Sequence, residues 1–305
     1  MMTVMTSSSP ATPGQPAAGR IALVAGGGHL PVAVATTLAS KGLDPLVYLV
    51  EGEGADPSAY AHVEHVVAAL EEFPQALDAM RARGVDRVVL AGSIARRIRL
   101  RRVRWTWKWL PMLPSLATAL RGGDDALLRT VMAIFEARGM SVIAPHEIVP
   151  DLLAPRGCLT KTAPAKSDWR DIVAATEAAL AIGRLDIGQA AVAVAGRAVA
   201  LEGIEGTDGL LDRMKGLRGH GRLAGKTRGV LAKLCKPTQE LRADLPSIGP
   251  ETIVAAAAAG LAGIVVDASR AFVLDFERTV AVANEARIFV VGLTAEDIAK
   301  RSVPR

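Results

Sequence analysis

The sequence predicts two α/β domains joined by a linker: a Rossmann-like parallel sheet in the N-terminal half and a mixed sheet in the C-terminal half. Short apolar runs of strand length alternate with stretches of helix length, a pattern typical of sheets covered by helices on both faces. Glycines end several of these elements. The length of 305 residues, half of them apolar, is enough for two domains that each bury a core.

The first domain is predicted over residues 20–153. Residues 1–19 lack the basic start and long apolar run of a signal peptide and are typical of a disordered tail. Strands are expected at residues 20–25, 44–50, 86–91 and 141–144. Helices are expected at residues 31–42, 73–84 and 124–139, each of which ends at a glycine. This alternation predicts the parallel sheet.

Residues 154–166 are rich in proline, glycine and lysine and carry little periodicity, which predicts the linker. The second domain is predicted over residues 167–305. Helices are expected at residues 168–182, 207–214 and 251–260. A hairpin is expected from residues 190–194 and 198–202, with further strands at 229–234, 263–266 and 287–291. A hairpin combined with strands that alternate with helices predicts a mixed sheet.

Composition excludes several classes of protein. The longest nearly uninterrupted apolar run, residues 253–266, is shorter than the roughly 20 residues that cross a bilayer. The two cysteines, Cys158 and Cys235, lie far apart and have no partner at metal-ligand spacing, so neither a disulfide framework nor a structural zinc is predicted. A cytoplasmic location is therefore expected.

The net charge of +5 is due to one segment, residues 96–110, which carries seven basic residues and no acidic one. Its tryptophans, Trp105, Trp107 and Trp109, alternate with Thr106 and Lys108. This composition suits an anionic membrane surface, because indole prefers the interface and each basic residue near it contributes about 1 kcal/mol. A solvated loop whose tryptophans pack on their own domain is the alternative. Nucleic acid is not expected as a partner, because no DNA- or RNA-binding module surrounds the segment.

A glycine-rich turn at residues 26–31 (GGGHLP) separates the first strand from the first helix. Glycines let the backbone approach a phosphate, and the free N–H groups of a helix start favour an anion. Pro31 replaces the third glycine of a dinucleotide fingerprint, although Glu51 and Glu53 stand at the distance of a ribose-binding acid. The turn predicts a nucleotide or phosphate site, with a turn that binds no ligand as the alternative.

Polar residues of the second half could form another site, at residues 205–208, 236–239 and 242–249. Thr207 or Asp208 could instead cap a helix. Asp244 precedes a Leu-Pro pair in an irregular segment, where extended backbone is expected. A carboxylate with basic residues nearby has the composition of a magnesium and phosphate site.

Several short motifs follow one another along the chain. They are AGGGxLP at residues 25–31, AG at 91–92, LPSL with GDDALLR at 113–129, GRLDIGQ at 183–189, EGTD at 205–208, KPxQExRxDLPxIG at 236–249 and AGLAGI at 259–264. In this order, from about residue 20 to residue 292, they resemble the UDP-2,3-diacylglucosamine pyrophosphatases of the LpxI type. The resemblance implies a nucleotide-facing half and a lipid-facing half. It also implies magnesium-dependent hydrolysis of UDP-2,3-diacylglucosamine to UMP and 2,3-diacylglucosamine 1-phosphate in lipid A synthesis.

The resemblance also implies roles for individual residues. Asp244 is expected to be essential for catalysis, by binding Mg²⁺ or orienting the attacking water, and Asp208 is expected to join it as a metal or phosphate-site residue. The residues assigned to substrate binding are Gly26, Gly27, Gly28, Leu30, Gly92, Asp125, Thr207, Lys236, Gln239 and Arg242. Within this set the glycine turn is expected to lie against UDP, Thr207 against a phosphate, and the last three residues in an anion-binding rim. Asp125 either holds the nucleotide or caps a helix.

Besides the lipid-linked substrate, the expected partners are a second copy of the chain and the cytoplasmic face of the inner membrane, through residues 96–110. The tail, the basic segment and the Leu159-Thr160-Lys161 stretch depart from the family pattern. Two alternatives remain open. One is an NAD(P)-dependent oxidoreductase, against which Pro31 argues, and the other is a non-catalytic nucleotide- or lipid-binding regulator. The histidines stand in none of the motifs of a two-metal phosphoesterase.

Overall fold

The structure is a computed structural model that describes residues 19–94, 103, 109 and 123–300, apart from residues 224, 238 and 243. For residues 123–125 it describes the backbone and not the side chains. Nearly all of the predicted tail, and most of the basic segment at residues 96–110, therefore lie outside the described residues.

The first domain, here called the first lobe, contains the strands β1 (Arg20–Ala25), β2 (Leu46–Val50), β3 (Glu64–Ala68), β4 (Val85–Ala91) and β5 (Ser141–Ile143). They form a parallel sheet with the strand order β3-β2-β1-β4-β5. Its helices are α1 (Leu30–Ser40), α2 (Phe73–Ala82), α3 (Gly123–Ala137) and α4 (Pro145–Ile148). Alternate strand residues point to opposite faces, and each face carries an apolar core. The chain leaves in opposite directions from β1 and β4, and α/β sheets bind ligands at the carboxyl ends of such a strand pair.

The second lobe contains the strands β6 (Gly157–Cys158), β7 (Ala190–Val194), β8 (Arg197–Leu201), β9 (Val230–Lys233), β10 (Ser247–Ile248), β11 (Gly263–Asp267), β12 (Phe272–Val273) and β13 (Phe289–Leu293). Six of them form a mixed sheet with the strand order β6-β13-β11-β9-β7-β8, beside a small parallel pair, β10-β12. Strands β9, β11 and β13 are parallel, whereas β6 and β7 run antiparallel to their neighbours. The helices are α5 (Trp169–Arg184), α6 (Gly206–Leu217), α7 (Pro250–Ala258), α8 (Phe276–Glu285) and α9 (Ala295–Ala299).

The predicted pair of α/β domains, one parallel and one mixed, is confirmed, and the differences lie in single elements. Strands β3, β6, β10 and β12 and helices α4, α8 and α9 were not predicted. The hairpin of β7 and β8 turns at Ala195 and Gly196, whose φ angles are 53° and 76°, and β8 begins one residue earlier than predicted. Positive φ at both central residues matches the right-handed twist of the strands.

Residues 154–166, the predicted linker, contain the short strand β6. Strand β6 pairs with β13 of the second sheet. The Arg156 guanidinium pairs with both carboxylate oxygens of Asp297, with Nε 2.9 Å from Oδ2. This pairing, together with hydrogen bonds from Thr294, holds the pKa of Asp297 well below its ordinary value. The connection is therefore fixed to the edge of the second lobe.

The segment that carries Asp244 also contacts the first lobe. Phe272 of β12 is 1% exposed and packs in the first-lobe core beside α1, and Leu245 packs at the edge of the same core. Arg242 Nη1 donates to Glu136 Oε1 on α3 at 2.8 Å. The segment thus lies at the junction of the lobes.

Two residues of the basic segment are described, and both are buried. Val103 is 7% exposed and Trp109 is 3% exposed in the core under α3. Trp109 therefore packs on its own domain, as one of the two alternatives predicted. Within the described residues, no helix combines the length and apolar character that crossing a membrane requires.

Candidate functional site

The glycine turn follows β1 and packs against the loop after β4. Gly27 N donates to Ser93 O at 2.8 Å, and Ser93 N donates to Gly27 O at 3.1 Å. A Cβ on Gly26 would stand 2.2 Å from Ser93 O, and a Cβ on Gly92 would stand 2.5 Å from Gly27 O. These glycines are needed because two backbones meet at van der Waals distance.

Gly28 differs from its neighbours because one side of it is open. Its φ is +94°, and apart from Gly28 itself and its two chain neighbours no atom of the described residues lies within 4 Å of the position of a Cβ. Leu30 then opens α1, with Pro31 in the first turn, where its missing N–H removes no helical hydrogen bond. The open side of the turn thus lies at a helix N-terminus and at the carboxyl ends of β1 and β4, which suits a phosphate group.

A second group of residues gathers around Lys233, the last residue of β9. Its Nζ donates to Ser247 O at 2.8 Å. Burial lowers the pKa of the ammonium group, and the carboxylates of Glu202, Asp208 and Asp244 act in the opposite direction. The end of β8, the first turn of α6 and the segment before β10 therefore each place a carboxylate near Lys233, at the carboxyl end of β9.

Glu202, at the end of β8, forms hydrogen bonds with the start of β7 and with α6. It is 5% exposed, and its Oε2 accepts hydrogen bonds from Gln189 N at 2.6 Å and Ala190 N at 3.0 Å, at the start of β7. Thr207 Oγ1 donates to Glu202 Oε1 at 2.6 Å. The Thr207 hydroxyl, predicted as a phosphate contact or helix cap, thus donates its hydrogen bond to Glu202. Glu205 occupies the N-cap position of α6.

Asp244 is exposed, and a buried side chain holds its carboxylate. Gln239 Nε2 donates to Asp244 Oδ2 at 2.7 Å, while Gln239 Oε1 accepts from Lys236 N at 2.8 Å. Gln239 is 8% exposed. The residue predicted to bind substrate therefore contacts the residue predicted to be catalytic.

The two cationic side chains predicted for the anion-binding rim, Lys236 and Arg242, both form ion pairs. Lys236 Nζ lies 2.6 Å from Asp186 Oδ1. Arg242 pairs with Glu240 at 3.0 Å and with Glu136 at 2.8 Å, and both contacts raise the pKa of the guanidinium. Each would have to exchange a carboxylate for a phosphate in order to bind substrate.

A cysteine lies next to this group. Cys235 N donates to Asp267 Oδ2 at 3.1 Å, and Arg270 Nη2 lies 3.5 Å from Cys235 Sγ. Burial raises the pKa of the Cys235 thiol to about 11 and also raises the pKa of Asp267. The thiol is therefore protonated at neutral pH and is not a nucleophile there.

An open concavity of about 590 Å³ adjoins Glu202. Its lining is formed by Ile187, Leu201, Glu202, Gly203, Glu205, Gly209 and Arg213. Ile187 and Leu201, the two large apolar side chains of this lining, are exposed. An apolar surface therefore lies beside the acidic group.

The carboxylates around Lys233 could hold Mg²⁺ only together with oxygen atoms of the substrate. Among the described residues, no group of three or more His, Cys, Asp or Glu could hold a metal ion. Mg²⁺ keeps several waters and is usually bound by one or two carboxylates together with substrate phosphates. Asp208 and Asp244, which both act on Lys233, are carboxylates of this kind. Asp125 lies in the first turn of α3, and its side chain is outside the described part of the chain.

Comparison with known proteins decides the family. A model of the LpxI N-terminal domain matches residues 20–152, and a model of the LpxI C-terminal domain matches residues 155–291. The chain belongs to the LpxI family. The two LpxI models meet at the start of the segment predicted as a linker.

A curated LpxI protein of Caulobacter vibrioides, named "UDP-2,3-diacylglucosamine pyrophosphatase LpxI", is 41% identical over 282 residues. The match covers 91% of this chain and 99% of that protein. A solved structure described as "Crystal structure of gox2253" is 14% identical and covers 90% of this chain and 70% of its own. Its TM-score of 0.33 is too low to support an argument.

In this LpxI-family chain, sequence reasoning missed Lys233 and Glu202. Lys233 ends an apolar strand, and a charged residue at the carboxyl end of a buried parallel strand is the signal that could have identified it. Glu202 carried no such signal, because its partners follow from the meeting of β7, β8 and α6.

Proposed function

We propose that this chain hydrolyses the pyrophosphate bond of UDP-2,3-diacylglucosamine, releasing UMP and 2,3-diacylglucosamine 1-phosphate, as a step of lipid A biosynthesis. The observation that carries the proposal is the 41% identity to a UDP-2,3-diacylglucosamine pyrophosphatase, which extends over 99% of that relative. The interaction of Asp208 and Asp244 with Lys233 supports the proposal, because charged groups placed at the diphosphate stabilise the transition state of its hydrolysis.

In the reaction, a water oxygen forms a bond to one phosphorus while the bond from that phosphorus to the bridging oxygen breaks. The bridging oxygen leaves with the other phosphate, and the water loses its two protons to the site and the solvent. Negative charge develops on the leaving oxygen, so fixed positive charge stabilises the transition state. Lys233, the basic residue near Asp208 and Asp244, is proposed to supply this charge in its protonated form.

Asp244 is proposed as the catalytic carboxylate, which orients the attacking water and accepts one of its protons. Its exposed position on the segment at the lobe junction makes it accessible to a substrate. The contact with Gln239 fixes one oxygen of the carboxylate. A fixed carboxylate contributes more than a mobile one, because the cost of orienting it has been met before the substrate binds.

Magnesium is proposed as the cofactor, held by Asp208 and Asp244 together with the diphosphate. When bound, the ion would neutralise charge on the phosphoryl oxygens. Lys233 lies near both carboxylates and would stand beside the ion.

The two ends of the substrate are proposed to bind to different lobes. The open side of Gly28 at the start of α1 suits the UDP end. The acyl chains are proposed to bind to apolar surface of the second lobe, and the concavity beside Glu202 offers such surface. The cationic residues Lys236 and Arg242 remain candidates for the phosphate rim.

Contact with the inner membrane through residues 96–110, a homodimer and a cytoplasmic location are further proposals. Seven basic residues favour anionic lipid. Sedimentation with vesicles of phosphatidylglycerol and phosphatidylcholine should carry the chain down at low salt, and neutral vesicles should not. Light scattering after gel filtration measures the oligomeric state.

The test of the proposed function is UMP release from UDP-2,3-diacylglucosamine, with added Mg²⁺ and with EDTA. We expect release with magnesium and its loss with EDTA. Binding of the substrate without release of UMP would indicate the non-catalytic regulator. Protection by NAD(P) against thermal unfolding, with no UMP formed, would indicate the oxidoreductase.

A further inference from the structure

Gln239 lies in a compact turn that brings its side chain to Asp244. Gln239 N donates to Lys236 O at 3.1 Å, and Asp244 N donates to Glu240 O at 3.2 Å. These two turns fold residues 236–244 back on themselves. The Gln239 side chain is buried, with only 8% of its surface exposed.

The orientation of the Gln239 amide follows from its two contacts. Lys236 N–H is a donor, so it must face the carbonyl oxygen, Oε1, at 2.8 Å. The amide nitrogen, Nε2, is thereby directed to Asp244 Oδ2 at 2.7 Å, where a carboxylate accepts. An amide of this length therefore satisfies the donor on one side and the acceptor on the other.

We propose that Gln239 is a positioning residue that orients the Asp244 carboxylate, and that it does not bind the diphosphate. The inference rests on the proposed function, in which Asp244 is the catalytic carboxylate. Asp244 is exposed and stands in an irregular segment, and the hydrogen bond from the buried amide restricts the rotamers that its carboxylate can adopt.

Two substitutions separate positioning from structure. Gln239→Leu removes both hydrogen bonds and keeps most of the volume. Gln239→Glu keeps the size and can still accept from Lys236 N, but it places a carboxylate against the Asp244 carboxylate. Both variants should lower kcat by about 10- to 100-fold, the effect typical of losing a group that orients a functional residue. The KM should stay within about threefold, because the substrate does not touch Gln239.

The experiment measures UMP release by each variant in the wild-type and Asp244→Asn backgrounds, with thermal unfolding as a check of folding. Leu241→Gln, an exposed substitution in the same segment, is the matched control and should keep its kcat. If Gln239 acts through Asp244, its substitutions cause no further loss once Asp244 is Asn. A raised KM with unchanged kcat, or losses that simply multiply in the double variants, would overturn the inference.

A second readout needs no turnover. In ¹⁵N NMR spectra the Gln239 side-chain amide should be protected from hydrogen exchange, and Asp244→Ala should abolish that protection. An amide that exchanges freely in the wild-type chain would overturn the inference, whether or not the chain releases UMP. A wild-type chain that releases no UMP but shows the protected amide would contradict the proposed function alone.

Discussion

Lys233 and Ser247 are joined by a hydrogen bond of 2.8 Å from ammonium to backbone carbonyl, which ties the end of β9 to the strand that follows Asp244. The lysine thus links the sheet to the segment that carries the proposed catalytic residue. It also interacts with the carboxylates of Glu202, Asp208 and Asp244, which oppose the lowering of its pKa by burial.

Replacing Lys233 with Met should weaken both folding and turnover. The Ser247 carbonyl loses its donor and the neighbouring carboxylates lose their lysine partner, so we expect the free energy of unfolding to fall by roughly 1–3 kcal/mol and kcat to fall at least about tenfold. Urea unfolding and UMP release measure the two effects. Lys226→Met, at an exposed position, is the control. Unchanged kcat in Lys233→Met would remove this lysine from the account.

How far the sequence predicts this molecule depends on where the information lies. The first sheet was predictable because buried strands such as β1 and β2 are continuous apolar runs. Strand β3 was not, because it is an edge strand whose residues are largely half-exposed, with Val67 54% exposed. Helix α8 was missed as well, and it begins after Asp275, which has a φ of 47°.

The candidate site was predictable only in part. Asp208, Asp244 and Gln239 stand in motifs and could be named. The cluster around Lys233 could not, because its carboxylates come from positions 202, 208 and 244, which no local spacing connects. The contact between Gln239 and Asp244 depends on two backbone turns that the sequence does not specify.

Alanine at Gly92 and at Gly28 should have different consequences. A Cβ at Gly92 would stand 2.5 Å from Gly27 O and 2.7 Å from Pro31 Cγ, so Gly92→Ala should disturb the turn severely. Gly28→Ala meets only the strain of a positive φ, about 1–2 kcal/mol. If UDP binds against its open side, Gly28→Ala should also weaken UMP binding, as calorimetry would show. Wild-type UMP affinity in a folded Gly28→Ala variant would contradict this use of the turn.

The ion pair of Arg156 and Asp297 predicts a pH-dependent contribution to stability. The folded-state pKa of Asp297 is lowered by the guanidinium, so the contribution is present above the unfolded pKa, about 3.9, and is lost as the pH falls through the folded value. Asp297→Asn should therefore lower the Tm at pH 7, and the difference from wild type should shrink below about pH 4. A difference that stays constant down to pH 2 would show that the pair does not titrate in this way.

The two thiols should react at very different rates. Cys158 is exposed, whereas Cys235 is buried and burial raises its pKa to about 11. At pH 8 an aromatic disulfide reagent should label one thiol of the native chain rapidly and the second only after unfolding. Cys158→Ser should remove the rapid phase. Rapid labelling of that variant would show that Cys235 is accessible beside the candidate site.

The central claim is that the Asp244 carboxylate acts on the diphosphate, and the most direct measurement is the rate of UMP release by Asp244→Asn beside Asp212→Asn. Asp212 is an exposed aspartate on α6 and serves as the control. The account predicts that Asp244→Asn loses kcat on the order of 1000-fold while it still folds and binds substrate, and that Asp212→Asn keeps its rate. An Asp244→Asn variant that releases UMP at close to the wild-type rate would contradict the account.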